Sequence, residues 1–321
     1  MHIAIIAGGP SAERGISEKS AQLLLEHLDA SKYTWRLISV DTGGWFDQES
    51  GEQMDLNDFS LTVKGNKESF DFAFLMIHGT PAEDGKMQGY LEMQKIPHST
   101  CDTLSASLTF NKQKCKDYLK AYNIPLAPSI LLKKKEPWDI DLILSLGLPV
   151  FIKPNSNGSS YGVSKVKNRE EIKTAIDAAY KFDDELIVEA FLAGREFGCG
   201  VVREGKTIHA LPITEIIPQA EFFTYEAKYE GASTEITPAE LSQELTEKCQ
   251  NLSKELYQIL SCKGVVRFDY ILKNDTFYLL EANTIPGMSA QSIVPQQARA
   301  YGWSIRKLLD VIIEDALAYA T

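Results

Sequence analysis

Cysteine is sparse in this chain and is not arranged for chemistry. There are five in 321 residues, at 101, 115, 199, 249 and 262. They are odd in number, irregularly spaced and without a CxxC pair. That pattern points to neither a zinc site nor a disulfide framework, and free thiols fit a reducing compartment. No stretch approaches the ~20 apolar residues of a membrane span. The opening MHIAIIAGG is too short an apolar run for a signal peptide and lacks a charged start. Positive charge is also scarce: 33 Lys and Arg against 44 Asp and Glu give a net charge of −11. Lys133-Lys134-Lys135 is the only cluster, which argues against a general nucleic-acid binder. Gly8-Gly9 does not extend to GxGxxG, and no GK[ST] precedes a helix, so the nicotinamide and Walker fingerprints are both missing. Internal repeats and low-complexity tracts are absent. A soluble, cytoplasmic protein is expected, with neither nucleic acid nor membrane as partner.

What the chain does have is room for two or three domains with substantial cores. The first part alternates strands and helices. Strands are expected at His2–Ala7, Trp35–Val40 and Phe72–Ile77, with a helix over Ser17–Leu28. This βαβ pattern implies a parallel sheet. Residues 43–67 read as an irregular excursion. A second part starts near Thr103. Asn111 can cap a helix that carries Cys115, Tyr118, Leu119 and Tyr122 at helical spacing. Strands follow at Leu148–Lys153 and Val163–Val166, and Asn168 and Glu171 form a capping box. A third part is expected from Leu186, with strands at Leu186–Phe191, Glu196–Arg203 and Thr207–Glu215. A long aromatic loop covers 218–235, and loops of that length are usually functional. Thr237-Pro238 opens a helix, and Ser304–Leu317 closes the chain.

The most informative stretch is the hairpin from Val265 to Gly287, VVRFDYI and then TFYLLEANTIPG. Period-two alternation puts Val265, Arg267, Asp269 and Ile271 on one face and Val266, Phe268 and Tyr270 in the core. In the second strand Glu281 and Asn283 share a face, with Tyr278, Leu280 and Ala282 opposite. A turn with an odd number of residues, centred near Asp275, sets Asp269 across from Glu281 and Arg267 across from Asn283. A two-residue turn would set Phe268 against Glu281. Two facing carboxylates on an apolar hairpin are costly unless compensated. With the amide of Asn283 they make a hard oxygen set suited to Mg²⁺ bridging to phosphate, and Arg267 suits a phosphoryl group in transfer. The competing reading is an Arg267–Asp269 salt bridge on a solvated face.

Other stretches are weaker alone. The loop from Lys153 to Gly162, KPNSNGSSYG, could bring backbone N–H groups and hydroxyls to phosphate, with Lys153 at the strand end; it could equally be a flexible connection. Ile187–Leu192 could present backbone to an adenine edge and Glu196 could take ribose hydroxyls, or this could be an ordinary buried strand. His78-Gly79 and Glu83-Asp84-Gly85 follow one first-part strand and Glu13 follows another. Ligands gather at such carboxyl ends, although EDG is also a common turn.

Taken in order, AGGPSAE, HGTPAEDGKMQGYLE, FNK, FIKPNSNGSSYGVSKV, FTYEAKY, RFDY and LLEANTIPGMSAQSIVP resemble the D-alanine–D-alanine ligases of the ATP-grasp superfamily. The likeness runs from Ala7 to Pro295. It implies an α/β chain of three domains: an N-terminal parallel-sheet βαβ domain over 1–102, a central α+β domain over 103–185 and a C-terminal α+β domain over 186–321. It further implies ATP, two Mg²⁺ ions for which Mn²⁺ can stand in, two D-alanine molecules as substrates, and a homodimer. By the same resemblance Lys112 and Lys153 bind phosphate, with Ser160 and Lys228 also on the ATP side. Glu189, Ala190 and Leu192 form the adenine segment, and Glu196 takes the ribose. Asp269, Glu281 and Asn283 hold the ions, and Arg267 stabilises the acyl phosphate. Glu13 anchors the first amino group, with Ser159 and Tyr229 completing a hydrogen-bonded triad. His78, Gly287, Ser292 and Ile293 belong to the substrate sites. The chain departs from the family pattern at Ala82, at Ser156-Asn157-Gly158, at Thr100-Cys101-Asp102 and at Phe110-Asn111.

The reaction so implied joins two D-alanines through an acyl phosphate, for peptidoglycan precursors, and makes a dipeptide rather than a D-alanyl-D-lactate ester. Positioning and charge neutralisation carry such a step, and closing the 218–235 loop excludes water. No residue stands out as the base for the attacking amine. Another carboxylate–amine ligase of the superfamily is the nearest rival, opposed by Glu13 and FTYEAKY. A non-catalytic nucleotide sensor is a rival of another class, opposed by the full set Arg267, Asp269, Glu281 and Asn283.

Overall fold

The computed structural model of the chain describes residues 1–11, 13–158, 161–218 and 233–319. Three sheets organise them, each with a hydrophobic core. In the first part, β1 (His2–Gly8) leads through α1 (Arg14–His27) to β2 (Thr34–Asp41) and β3 (Gly44–Asp47). β4 (Ser60–Val63) and β5 (Asn66–Ser69) form a separate ribbon before β6 (Phe72–Leu75). The sheet order is β3-β2-β1-β6, and β1 runs parallel to both β2 and β6. Ile3, Ala4, Ile5 and Ile6 are fully buried, as a parallel strand covered on both faces requires. The glycine pair at its end is sterically forced. Gly8 and Gly9 have φ of +94° and +91°, and a Cβ would stand 2.8 Å from the Val40 carbonyl oxygen and 2.7 Å from the Ile77 Cγ2 respectively. Only glycine takes that path, and it delivers Glu13 to the N-cap of α1.

Two expectations change in this part. The helix begins at Arg14 rather than Ser17. Residues 43–67, read as irregular, contain β3, β4 and the start of β5; the strands are short and β5 is mostly exposed, so no period-two apolar signal marks them.

α2 (Lys86–Met93), α3 (Thr103–Phe110) and α4 (Lys112–Lys120) follow. Asn111 caps α4 as expected, its side chain accepting from Lys114 N at 3.0 Å. Of the residues at helical spacing, Cys115 and Leu119 are buried, whereas Tyr118 and Tyr122 are 40% and 44% exposed.

The second sheet comprises β7 (Ser129–Lys133), then, after α5 (Ile140–Leu144), β8 (Val150–Pro154) and β9 (Ser164–Val166), and, after α6 (Glu171–Ala179), β10 (Glu185–Ala190). Its order is β7-β10-β8-β9, antiparallel throughout. β10, expected to open the third part, is therefore an interior strand of the second sheet. The capping box at α6 is half made. The Glu171 carboxylate accepts from Lys167 N at 2.9 Å and Asn168 N at 3.4 Å, while the Asn168 side chain donates to Glu171 at 3.0 Å instead of capping.

The third sheet has β11 (Arg195–Glu204), β12 (Thr207–Ala210), β13 (Thr214–Pro218), β14 (Ser233–Ile236), β15 (Val265–Lys273) and β16 (Thr276–Asn283). The order is β14-β13-β11-β15-β16, with β12 also on β11. The expected strand Thr207–Glu215 is thus two strands. α7 (Gln243–Ile259) starts after Ser242, which accepts from Leu245 N at 3.2 Å, and not at Thr237-Pro238. α8 (Ile293–Ala300) and α9 (Ile305–Ala318) end the chain, and α9 packs into the first core.

The hairpin turn has two residues, not an odd number. Asn274 and Asp275 have φ of 49° and 55°, and Lys273 pairs with Thr276, as in the tight turns that match strand twist. The register then slips by one between Tyr270, paired with Leu279, and Asp269, paired with Glu281. Leu280 is the extra residue of a bulge. Asp269 across from Glu281 and Arg267 across from Asn283 are as expected, but a bulge sets that pairing and the turn does not. Phe277 and Leu279 are the core residues of β16, while Tyr278 and Leu280 are half-buried.

Candidate active site

The loops after the first sheet, the loop after β8 and the open face of the hairpin line one cleft of ≈ 1200 Å³. Its floor is the hairpin. Arg267 Nε donates to Asp269 Oδ1 at 2.7 Å and Nη2 to Oδ2 at 2.8 Å. Asn283 Nδ2 donates to Asp269 Oδ2 at 2.9 Å, and Glu281 lines the cleft beside them. The Arg267–Asp269 salt bridge thus exists, but its side chains are only 13% and 5% exposed, so the face is not solvated. Among the described residues no three His, Cys, Asp or Glu converge as a metal site; the oxygen set here is two carboxylates and one amide.

The roof carries positive charge. Lys112, from the start of α4, donates to the Asn157 carbonyl at 2.7 Å. Burial pushes its ammonium pKa down, and the Glu281 carboxylate pulls it partly back. Lys153, at the end of β8, pairs with Glu189 of β10, whose other oxygen is held by Lys116. Burial pushes the Glu189 carboxyl up, but the two lysines outweigh it and hold it at about 2. The Glu189 side chain is therefore committed to two lysines, one from α4 and one from β8. Asn155, fully buried, ties this roof together. Its carbonyl takes Lys112 N at 3.0 Å, its Oδ1 takes Gln113 N at 2.8 Å and its Nδ2 reaches Asn111 Oδ1 at 3.0 Å.

Beside the roof, Ala190, Phe191, Leu192, Phe151, Ile271 and Leu280 line an apolar slot of the cleft, together with Glu196, and the Phe151 and Phe191 rings lie 5.9 Å apart. On the opposite side Glu13, 7% exposed, and His78, 6% exposed, enter from the first sheet. Ser11 links their loops, its hydroxyl donating to the His78 carbonyl at 3.0 Å and accepting from Glu13 N at 3.3 Å. Glu83 joins them, accepting from Gly79 N at 2.7 Å. The protein packed around it, and then the charge of Glu13, push its carboxyl up to about 8. At the far end Ser292 occupies the N-cap position of α8 and Gly287 lies against it. The Ser292 hydroxyl is 2.7 Å from that of Ser289, and Ile293 is buried beneath. Ser20 of α1 accepts from Met288 N at 3.0 Å, fixing this end to the helix that starts at Glu13.

The structure thus gathers the sequence-expected residues of all three sheets, except Ser159, Ser160, Lys228 and Tyr229, which lie outside the described residues. Sequence reading missed Lys116 and Asn155 and treated Glu83 as a turn. Lys116 had a signal: it stands four residues after Lys112 on one helix, hence on the same face. Asn155 had none beyond following Lys153.

Residues 2–101 match the family model described as D-ala D-ala ligase N-terminus, and 118–314 the one described as D-ala D-ala ligase C-terminus. A D-alanine--D-alanine ligase of Flavobacterium johnsoniae is 45% identical over 321 residues, 99% of each chain. The crystal structure of D-alanyl-alanine synthetase A from Vibrio cholerae has a TM-score of 0.89 at 27% identity, covering 99% of this chain and 98% of that one. D-alanine--D-alanine ligase from Bacillus anthracis complexed with ATP has a TM-score of 0.82 at 32% identity, covering 100% and 98%. Two family models in sequence, a full-length relative and this three-sheet cleft agree: the chain belongs to the D-alanine–D-alanine ligase family, ATP-dependent ligases of the ATP-grasp fold.

Proposed function

We propose that the chain uses ATP to join two D-alanines into D-alanyl-D-alanine for peptidoglycan precursors, with the site residues acting as follows. The observation that carries this reading is the cross-strand pairing of Asp269 with Glu281 and Arg267 with Asn283, beneath the ammonium groups of Lys112 and Lys153. Asp269, Glu281 and the Asn283 amide oxygen fit two Mg²⁺ ions, or Mn²⁺ in their place, since all are hard ligands. Bound there, the ions neutralise charge on the phosphates.

The adenine lies in the slot at 190–192, with its edge toward the backbone and its ribose toward Glu196. Lys112 and Lys153 take the phosphates, assisted by Ser160 and Lys228. The first D-alanine is held by its amino group at Glu13, with His78 beside it. Its carboxylate attacks the γ-phosphorus and ADP leaves, and Arg267 stabilises the acyl phosphate. The second D-alanine rests its carboxylate at Gly287 and Ser292, against Ile293. Its amine attacks the acyl carbonyl and phosphate leaves. Ser159 and Tyr229 tie the loop between β13 and β14 to Glu13, which keeps water out while the acyl phosphate exists. We also place the protein in the cytoplasm as a homodimer, divided into an N-terminal part near 1–102 and two ATP-grasp parts. No described helix is long and apolar enough to cross a membrane.

The test is ADP release with ATP, D-alanine and Mg²⁺, each omitted in turn. Release that needs all three, with dipeptide formed, supports the reading. Equal ADP release without D-alanine would overturn it.

A further inference from the structure

Gln297 is fully buried on α8 and makes three hydrogen bonds to another part of the chain. Its Oε1 accepts from Gly200 N at 2.9 Å; its Nε2 donates to the Gly198 carbonyl at 2.8 Å and to Thr214 Oγ1 at 3.0 Å. The place is unusual within the sheet. β11 pairs with β13 up to Gly198 and takes up β12 only from Val201. The side-chain amide sits in that gap, offering one donor and one acceptor where a strand would offer its own. Gly200 makes room, because a Cβ there would stand 2.7 Å from Gln297 Oε1.

On its other edge the same stretch of β11 pairs with the catalytic strand, Gly198 with Asp269 and Gly200 with Arg267. Thr214 in turn is 2.6 Å from Thr237 Oγ1, at the base of the two strands that flank residues 219–232. One amide therefore joins three pieces: the helix whose N-cap is Ser292, the strand register behind Arg267 and Asp269, and the β13–β14 strand pair at Thr214. A leucine would fill the same volume, so packing alone does not call for glutamine here. An amide is what the gap in the ladder requires.

We infer that Gln297 is a positioning residue for the second substrate. It fixes α8, and with it the second carboxylate site, at a set distance from the acyl phosphate held at Arg267. This rests on the ligase reading above. When the acceptor amine is misplaced, water attacks the acyl carbonyl instead. The acyl–oxygen bond to phosphate breaks, D-alanine and phosphate are regenerated, and ADP accumulates without dipeptide. A loss of alignment thus appears as uncoupling, which a loss of fold does not produce.

The experiment measures ADP and dipeptide in the same reaction, with saturating ATP and Mg²⁺ and varied D-alanine, for the full chain and for Gln297→Met and Thr214→Val. Gln297→Met is expected to raise the KM for the second D-alanine about tenfold and to lift ADP per dipeptide above one, with the KM for ATP within about twofold. Thr214→Val, which removes one bond of the three, is expected to shift both readings the same way by less. A folded Gln297→Met enzyme that keeps one ADP per dipeptide, or whose constants all fall together, overturns the inference. If Gln297→Met does not fold, an unchanged ratio and KM in Thr214→Val overturns it alone. Absence of dipeptide from the unaltered chain would instead overturn the ligase reading.

Discussion

Arg267 grips both oxygens of Asp269, from two positions away on one strand and with each contact under 3 Å. A fork-to-fork ion pair of this kind is strong and directional. It also holds in one place the two groups that the proposed function sets to act on a transferred phosphoryl group. The cleft is thus organised around a carboxylate held by Arg267 and by Asn283, with Glu281 across from it on the neighbouring strand.

Replacing Glu281 tests that arrangement. Glu281→Gln removes one of the two facing charges and lowers the attraction for Mg²⁺. kcat is expected to fall by orders of magnitude, while the melting temperature of the ligand-free protein stays level or rises. Near-normal turnover at low Mg²⁺ would contradict the hairpin assignment.

Lys116 is buried on one side of Glu189 and Lys153 lies on the other. Lys116→Met leaves Glu189 to Lys153 alone, and Lys153 is then less free to meet phosphate. The expected result is a KM for ATP about tenfold higher and a stability loss of roughly 3 kcal/mol, the order seen on breaking a buried ion pair. Because the Glu189 carboxyl is held at about 2, its stabilising effect is complete above the unfolded value near 4 and fades as pH falls toward 2. Acid melts of the variant should show that fading at a higher pH than in the parent.

Glu83 has the opposite sign. Its carboxyl is pushed up to about 8, so the folded form prefers it protonated. Its contribution is complete below the unfolded value near 4 and is lost as pH rises through 8. Glu83→Gln should therefore raise the melting temperature of the ligand-free protein at pH 8.5 and leave it nearly unchanged at pH 4. Equal shifts at both values would show that Glu83 is ionised in the fold.

Stereochemistry tests the first substrate site. With its amino group fixed at Glu13, L-alanine would send its carboxylate away from the γ-phosphorus. ADP release with L-alanine is expected at a small fraction of the D-alanine rate, and Glu13→Gln should raise the KM for the first D-alanine. Comparable rates with the two enantiomers would remove Glu13 from that role.

Much of the site was readable in the sequence because its parts sit on regular elements. Arg267, Asp269, Glu281 and Asn283 declare their face by strand alternation, and Asn111 declares its cap. The reason given for the hairpin register was nevertheless wrong: a two-residue turn is followed by an extra residue, and no local pattern separates that from a longer turn. Glu83 was not readable, since its carboxyl is perturbed by burial and by Glu13, which is 70 positions away in sequence. β10 was misassigned because its partners β7 and β8 precede it, and pairing order is not a local property. The ribbon of β4 and β5 lacked an apolar face to read.

Leu280 has a further consequence for how the cleft is partitioned. On a regular strand neighbouring residues point to opposite sides, so two functions on one side stand two residues apart. Leu280 and Glu281 both line the cleft, one walling the apolar slot and the other the ionic floor. The inserted residue lets a greasy compartment and a charged one abut along a single backbone at one-residue spacing, about 3.3 Å. A flat base and a highly charged tail can then lie end to end on the same strand with no neutral spacer between them. Deleting Leu280 would leave Glu281 directly after Leu279 and still across from Asp269; the ionic floor would stay, the wall of the slot would go, and the two compartments would no longer abut on one strand.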